Sequence, residues 1–134
     1  MQLPYEIPSN YLHPFVKPNT EKEEYGVFPV EFENRSDTFF HGTSAFIGYK
    51  ILNEGFRFTG ALPSISFADR SRYSLGYACG KRELSSPEGC ILACVLDLSK
   101  IKNVYEGGIL HVYEKLPITV VKKVCIIPQE YVWQ

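Results

Sequence analysis

Four residues able to do chemistry stand in one run, His41-Gly42-Thr43-Ser44, at what reads as the junction of a strand and a helix. Such a junction turns backbone N–H groups and an imidazole toward whatever lies in front of a sheet. The run is equally compatible with a histidine that only hydrogen-bonds its own fold. A second run, Ser64 to Tyr77, carries hydroxyl and phenol groups at Ser66, Ser74 and Tyr77. Other common chemistries are missing. No G-x-G-x-x-G or G-x-x-x-x-G-K-[ST] loop cradles phosphates, and no G-x-S-x-G elbow presents a nucleophilic serine. Cys90 and Cys94 have C-x3-C spacing without a second pair, so no zinc site and no other metal site is expected. Cys90, Cys94 and Cys125 lie in apolar, strand-like runs where thiols behave as small core side chains. Together with Cys79 they are expected to be reduced, as in an intracellular protein of cytoplasm or nucleus.

The elements that must position these residues follow from local pattern. Thr38 to His41 predicts a short strand ending at Gly42. Thr43 or Ser44 can cap a helix running to Glu54, with Gly55 as its left-handed terminator and Ile47, Ile51 and Leu52 on one apolar face. Ser64 to Ala68 predicts a second strand, and a helix from Asp69 or Ser71 to Cys79 follows, stopped by Gly80. Cys90 to Leu98, apolar at nearly every position, predicts a strand covered on both faces. Ile109 to Glu114 and Thr119 to Ile127 supply two more strands. The class is α+β, with two short helices inserted early. Residues 1–36 form a proline-rich extended arm holding Pro4, Pro8, Pro14, Pro18 and Pro29, a cluster of Glu21, Glu23 and Glu24, and aromatics (Tyr5, Tyr11, Phe15, Tyr25, Phe28) that suit packing on the domain of residues 37–134.

Composition narrows the class further. With 134 residues, 45% apolar and 22% charged, the chain suits one core-forming domain and not a disordered segment. Fourteen Lys and Arg against fifteen Asp and Glu give a net charge of −1, so no broad basic footprint for nucleic acid is visible. The longest apolar stretch, Ile91 to Leu96, is far short of the ~20 residues that span a bilayer as a helix. No basic start followed by an apolar run opens the chain, so neither a secretory signal nor a membrane partner is expected.

Two spaced blocks carry a family resemblance. Ser64-Ile-Ser-Phe-Ala-Asp-Arg-Ser-Arg-Tyr-Ser-Leu-Gly-Tyr77 resembles the G-I-Y-F-A-D…S-x-x-Y signature of the poly(ADP-ribose) polymerase-like, diphtheria-toxin-type ADP-ribosyltransferases, with the intervals from Asp69 to Ser74 and from Ser74 to Tyr77 kept. Upstream, His41-Gly42-Thr43 followed by Ile51-Leu52-Asn53-Glu54-Gly55-Phe56-Arg57 is similar to that family's H-G-[ST]…I-L-x-x-G-[LF]-R segment. Val112-Tyr113-Glu114 and the strand through Val124 weakly resemble its closing pair, so the likeness covers about residues 38–127.

The resemblance implies a split antiparallel sheet that binds NAD as substrate, against His41, Gly42, Thr43, Arg57, Phe67, Ala68, Ser74 and Tyr77. Gly42 would hold the nicotinamide carboxamide through its N–H and C=O, with Ser74 adding a hydroxyl contact and Tyr77 stacking on the ring. His41, assisted by Thr43, would bond the adenine ribose, and Arg57 would lie near the adenosine end. Taken singly, Ser74 reads as a solvated helix residue, Tyr77 as a core aromatic and Arg57 as a surface charge. The family's catalytic histidine, tyrosine and glutamate fall here on His41, Ser66 and Ile109. An isoleucine cannot activate a ribose hydroxyl, so chain growth is not expected. The expectation is a monomeric mono-ADP-ribosyltransferase acting on a protein or nucleic-acid acceptor, or an inactive NAD-binding or interaction module of the same fold. Tyr73 or Tyr105 would be needed to compensate for Ser66, and Glu106 or Glu114 for Ile109, with Glu106 reaching in from the Gly107-Gly108 turn. The short Thr59 to Pro63 link implies an open donor site. A related RNA 2′-phosphotransferase is disfavoured by the few arginines and the lack of room for a second domain.

Overall fold

Alternation of apolar side chains in the central strands sorts the core into two layers, one on each side of a single sheet. In β3 (Gly89–Val95), Cys90, Leu92 and Cys94 belong to one buried cluster while Ile91 and Ala93 belong to the other. That is the strand covered on both faces that its continuous apolar run predicts. The computed structural model describes residues 6–18, 25–57 and 64–133. Pro4, Tyr5, Glu21, Glu23, Glu24 and the Thr59 to Pro63 link lie outside the described residues.

The elements run α1 (Val30–Glu33), β1 (Thr38–Ser44), α2 (Ala45–Glu54), β2 (Ile65–Ala68), α3 (Ser71–Gly80), β3, β4 (Asn103–Glu106), β5 (Ile109–Val112) and β6 (Val121–Ile127). Among the described residues six strands form one sheet in the order β4-β5-β2-β1-β3-β6, and every neighbouring pair is antiparallel. The α+β class therefore stands, with three α-helices among the described residues in place of the two expected. No helix among the described residues is long and apolar enough to cross a membrane.

The two longer helices cover one face of the sheet each. Ile51 of α2 packs with Phe39, Leu92 and Val124, while Leu75 and Ala78 of α3 pack with Phe40, Ile91 and Cys125. Burying a Leu, Ile or Phe side chain contributes about 1.5–3 kcal/mol. The two clusters thus hold α2 and α3 firmly against opposite faces. Ser44 caps α2 by accepting from the Ile47 N–H, and Gly55 ends it at φ 77°, a left-handed value that a side chain would strain.

Several boundaries differ from expectation for local reasons. β1 continues past Gly42 to Ser44 because β3 keeps pairing with it as far as Ser44 and Gly89. Gly80 is the last residue of α3 and not its stop, since Lys81 takes the cap position and its N–H bonds the Tyr77 carbonyl. β3 ends at Val95, where Asp97 accepts from the Ser99 N–H and starts a short 3-10 turn, Leu98–Lys100. β5 stops at Val112, and residues Ile118–Val120 form a second 3-10 turn before β6 begins at Val121. β4 was not expected. Its exposed Val104, Tyr105 and Glu106 give no run of buried residues to read, yet the Gly107-Gly108 turn (φ 62° and 82°) folds it back on β5 as a hairpin.

The amino-terminal segment is packed, and it is not wholly irregular. Pro29 precedes the one-turn helix α1, its ring fixing φ at the −56° that helix entry tolerates. Val27 and Phe28 are buried, and Phe28 stacks on Phe40 at 5.7 Å. Glu33 ties this segment to α3: its carboxylate accepts from the Phe28 N–H at 2.8 Å and from the Ser71 hydroxyl at 2.6 Å. Further back, the His13 N–H bonds the Val124 carbonyl at 2.8 Å, which lays residues 11–13 along the free edge of β6.

Candidate functional site

The sheet is not continuous through its middle. β1 and β3 pair from Thr38 to Ser44, but among the described residues β1 and β2 share a single register pair, Phe40 with Ala68. Beyond that pair the two strands part, and a cleft of about 580 Å³ opens between them. A volume of that size is ordinary for a small-molecule or cofactor site. Its described walls come from β1, β2, α2, α3 and the first residue of β5.

Almost every residue singled out in the sequence meets here. His41, Gly42, Arg57, Ser66, Phe67, Ala68, Ser74, Tyr77 and Ile109 line the cleft. Thr43 does not: it is buried within β1, opposite Cys90, and is absent from the described wall.

Gly42 sits where α3 comes closest to β1. A Cβ at this position would overlap the Ser74 carbonyl oxygen and approach the Ala78 nitrogen, so no larger residue fits without moving the helix. The Ser74 hydroxyl donates to the Phe40 carbonyl at 2.9 Å. Strand alternation then directs the N–H and C=O of Gly42, two residues on, to that same edge of β1, away from β3 and into the gap left by β2. Ser74 has committed its proton and faces a ligand as an acceptor. Tyr77, one helical turn along α3 and 58% exposed, offers its ring to the cleft.

His41 stands in a cage of rings. Phe56 meets it edge-on at 5.3 Å and Phe67 lies tilted at 5.5 Å. Nδ1 is 2.7 Å from the Ser66 carbonyl oxygen, which can only accept, so Nδ1 carries the proton. Burial among these rings pushes the pKa of the imidazole below its usual value, with a small further push from Lys81 and opposition from the Ser66 carbonyl. The ring is therefore neutral, and its Nε2 presents a lone pair to accept a hydroxyl proton.

Charge in the cleft is mostly positive. Lys50, Arg57 and Lys81 line it against Glu54, which pairs with Arg57 at 3.8 Å. Such an excess favours an anionic ligand. Lys50 and Lys81 were not read from the sequence, although the signal existed. Ile47, Lys50, Ile51 and Glu54 recur at i, i+3, i+4 and i+7, one face of α2, and all four line the cleft. Ile47 is 38% exposed on that face and belongs to the cleft wall, not to the core face expected of it; Ala45, Gly48 and Ile51 are the buried side of α2.

The suggested substitutes for the missing triad groups are mostly engaged elsewhere. The Tyr105 hydroxyl donates to Asp69 at 2.8 Å and its ring packs edge-on against Phe39. Tyr73 lies under the Arg72 guanidinium, outside the described wall. Glu114 accepts from the Lys102 N–H at 2.9 Å. Glu106 is placed differently, directly across the β4–β5 hairpin from Ile109. Cross-strand partners keep Cβ atoms about 4.5–5.5 Å apart, so a carboxylate stands beside the aliphatic position.

Ser66 has a partner that sequence spacing could not disclose. Its hydroxyl shares a hydrogen bond with His111 Nδ1 at 3.1 Å, because register sets the two residues opposite each other on β2 and β5. The four cysteines are free thiols, and those in β3 and β6 are buried. Burial pushes Cys90 and Cys125 up to about 12 and raises Cys94 as well, which keeps them protonated and inert. Compared with known protein families and with curated proteins, the chain matches neither a family model nor a curated sequence.

Proposed function

We propose that this chain is an ADP-ribosyltransferase-like split sheet that binds NAD in the cleft between β1 and β2 and transfers a single ADP-ribose, releasing nicotinamide. The observation that supports the reading is that Gly42, Ser74 and Tyr77 line one cleft together with a neutral His41. The edge of β1 supplies a donor and an acceptor for a carboxamide, Ser74 a further acceptor, and Tyr77 a stacking face for the pyridine ring. His41 Nε2 would accept from a ribose hydroxyl, and the positive charge of Lys50, Arg57 and Lys81 along the cleft walls suits a diphosphate.

In the transfer itself the bond between the ribose anomeric carbon and the nicotinamide nitrogen breaks, its electron pair staying on the ring nitrogen. The carbon carries positive charge until the acceptor's oxygen or nitrogen bonds to it. Holding the ribose in place and setting negative charge nearby lowers that barrier. Ile109 cannot supply the charge, and Glu106, its partner across the hairpin, is exposed and outside the described cleft wall. With an aliphatic residue at 109, no group there activates a ribose hydroxyl for a second addition, which favours mono-transfer over polymer growth.

A second reading, an NAD-binding module without turnover, is favoured by the same isoleucine and by Ser66. Calorimetry with NAD and with benzamide, alongside labelled NAD offered to lysate proteins and nucleic acid, separates the two. The transferase reading expects benzamide binding that weakens about two- to tenfold in Tyr77→Ala, from the ~0.5–1.5 kcal/mol of a lost aromatic pair, and label that vanishes in His41→Ala. Binding without label on any acceptor leaves the module. No binding of either ligand removes both.

A further inference from the structure

Ser66 joins the two histidines of the site. Its main-chain carbonyl accepts from His41 Nδ1 at 2.7 Å, while its hydroxyl meets His111 Nδ1 at 3.1 Å. The second contact is fixed by backbone register and not by a chance rotamer, since Ser66 and His111 are direct partners across β2 and β5. Ser66 lines the cleft and is exposed, and His111 reaches its hydroxyl from outside the described wall. A hydroxyl at a cavity wall bonded to an imidazole is the arrangement of a nucleophile with its base. Glu54, the carboxylate of the described wall, is 3.8 Å from Arg57 and is taken up by that pairing.

We infer that Ser66 Oγ is itself an acceptor of ADP-ribose, with His111 as the base that takes its proton. The inference rests on the reading of the cleft as an NAD site. In the step, the carbon–nitrogen bond to nicotinamide breaks and nicotinamide leaves neutral with the electron pair. A bond forms from Ser66 Oγ to the anomeric carbon, and the hydroxyl proton passes to His111 Nδ1 and on to water. The product is an O-glycoside of Ser66. It occupies the cleft, so each chain reacts once and then stops.

The test uses the full chain with NAD, followed by intact mass, fragment mapping and nicotinamide release. The expected result is one ADP-ribose per chain on Ser66, with an equal amount of nicotinamide released before the reaction halts. Ser66→Ala retains the carbonyl that holds His41 and should give no adduct. His111→Gln should slow adduct formation by about 100-fold, the usual scale of a lost general base, with benzamide affinity unchanged. Free imidazole should restore part of the rate to His111→Ala. If benzamide binds but no adduct forms, or if the adduct maps elsewhere or persists in Ser66→Ala, the inference falls while the NAD reading stands. If neither NAD nor benzamide binds, the NAD reading falls and takes the inference with it.

Discussion

Replacing Gly42 with alanine tests the geometry of the cleft more directly than removing any side chain. The added Cβ would overlap the Ser74 carbonyl oxygen and lie 3.0 Å from the Ala78 nitrogen. Both are backbone atoms of α3, so neither can rotate aside and the helix must shift. Overpacking of that kind costs about 1–3 kcal/mol. The shift would also pull on the 2.9 Å bond from Ser74 to Phe40 and on the packing of Leu75 and Ala78. Gly80 in the last turn of the same helix provides the opposite case: its Cβ would meet nothing within 4 Å and its φ is not positive. Alanine there should stabilise by about 0.4–1 kcal/mol, through the reduced freedom of the unfolded chain. The two variants should therefore differ by roughly 1.4–4 kcal/mol, a separation of several degrees in melting temperature for a chain of this size. Thermal unfolding followed by circular dichroism reads the stability, and calorimetry with benzamide reads the gap beside Gly42. A Gly42→Ala protein that melts with the wild type and binds benzamide equally well would refute the close approach of α3.

Three further outcomes follow from the charges and thiols. His41 has its pKa lowered by burial, so its contribution to stability is present above the unfolded imidazole value of 6.5 and is lost as pH falls through the lowered folded value. His41→Phe should keep the ring packing and abolish that acid-side loss in urea titrations; an unchanged pH dependence would show that another group sets it. Glu33 is raised above 4.5 chiefly by burial, against its hydrogen bonds from Ser71 and Phe28, so its contribution is full below 4.5 and is lost as pH rises through the folded value. Glu33→Gln should match the wild type in acid and exceed it in stability near neutrality, and equal stability at both would refute the desolvation argument. Thiol labelling of the native protein should reach partly exposed Cys79 first and the buried Cys90, Cys94 and Cys125 only on unfolding; prompt native labelling of Cys90 would mean that β3 is not covered by both helices.

Local chemistry made much of this fold readable. The cap at Ser44, the left-handed Gly55 and the two-sided strand through Leu92 each follow from a few neighbouring residues. The site residues were legible as types at intervals, yet their meeting depends on the parting of β1 from β2, which no interval in the chain encodes. β4 was missed because Val104, Tyr105 and Glu106 are all exposed, so burial leaves no trace in their order. The bond from Ser66 to His111 spans strands far apart in sequence and needed the β2–β5 register to appear. Thr43 was drawn toward the site by its neighbours, but its side chain is buried where β1 pairs with β3.

The gap between β1 and β2 has a mechanical consequence. With Phe40 and Ala68 as the one shared rung among the described residues, the strands β4-β5-β2 and β1-β3-β6 are two plates riveted at a point. A flat molecule lodged in the opening and bonded to the rim of each plate would stand in for the rungs that are missing. Occupancy would then stiffen the whole molecule across its middle, and amide exchange along both rims would slow together although the chain itself gains no new contact.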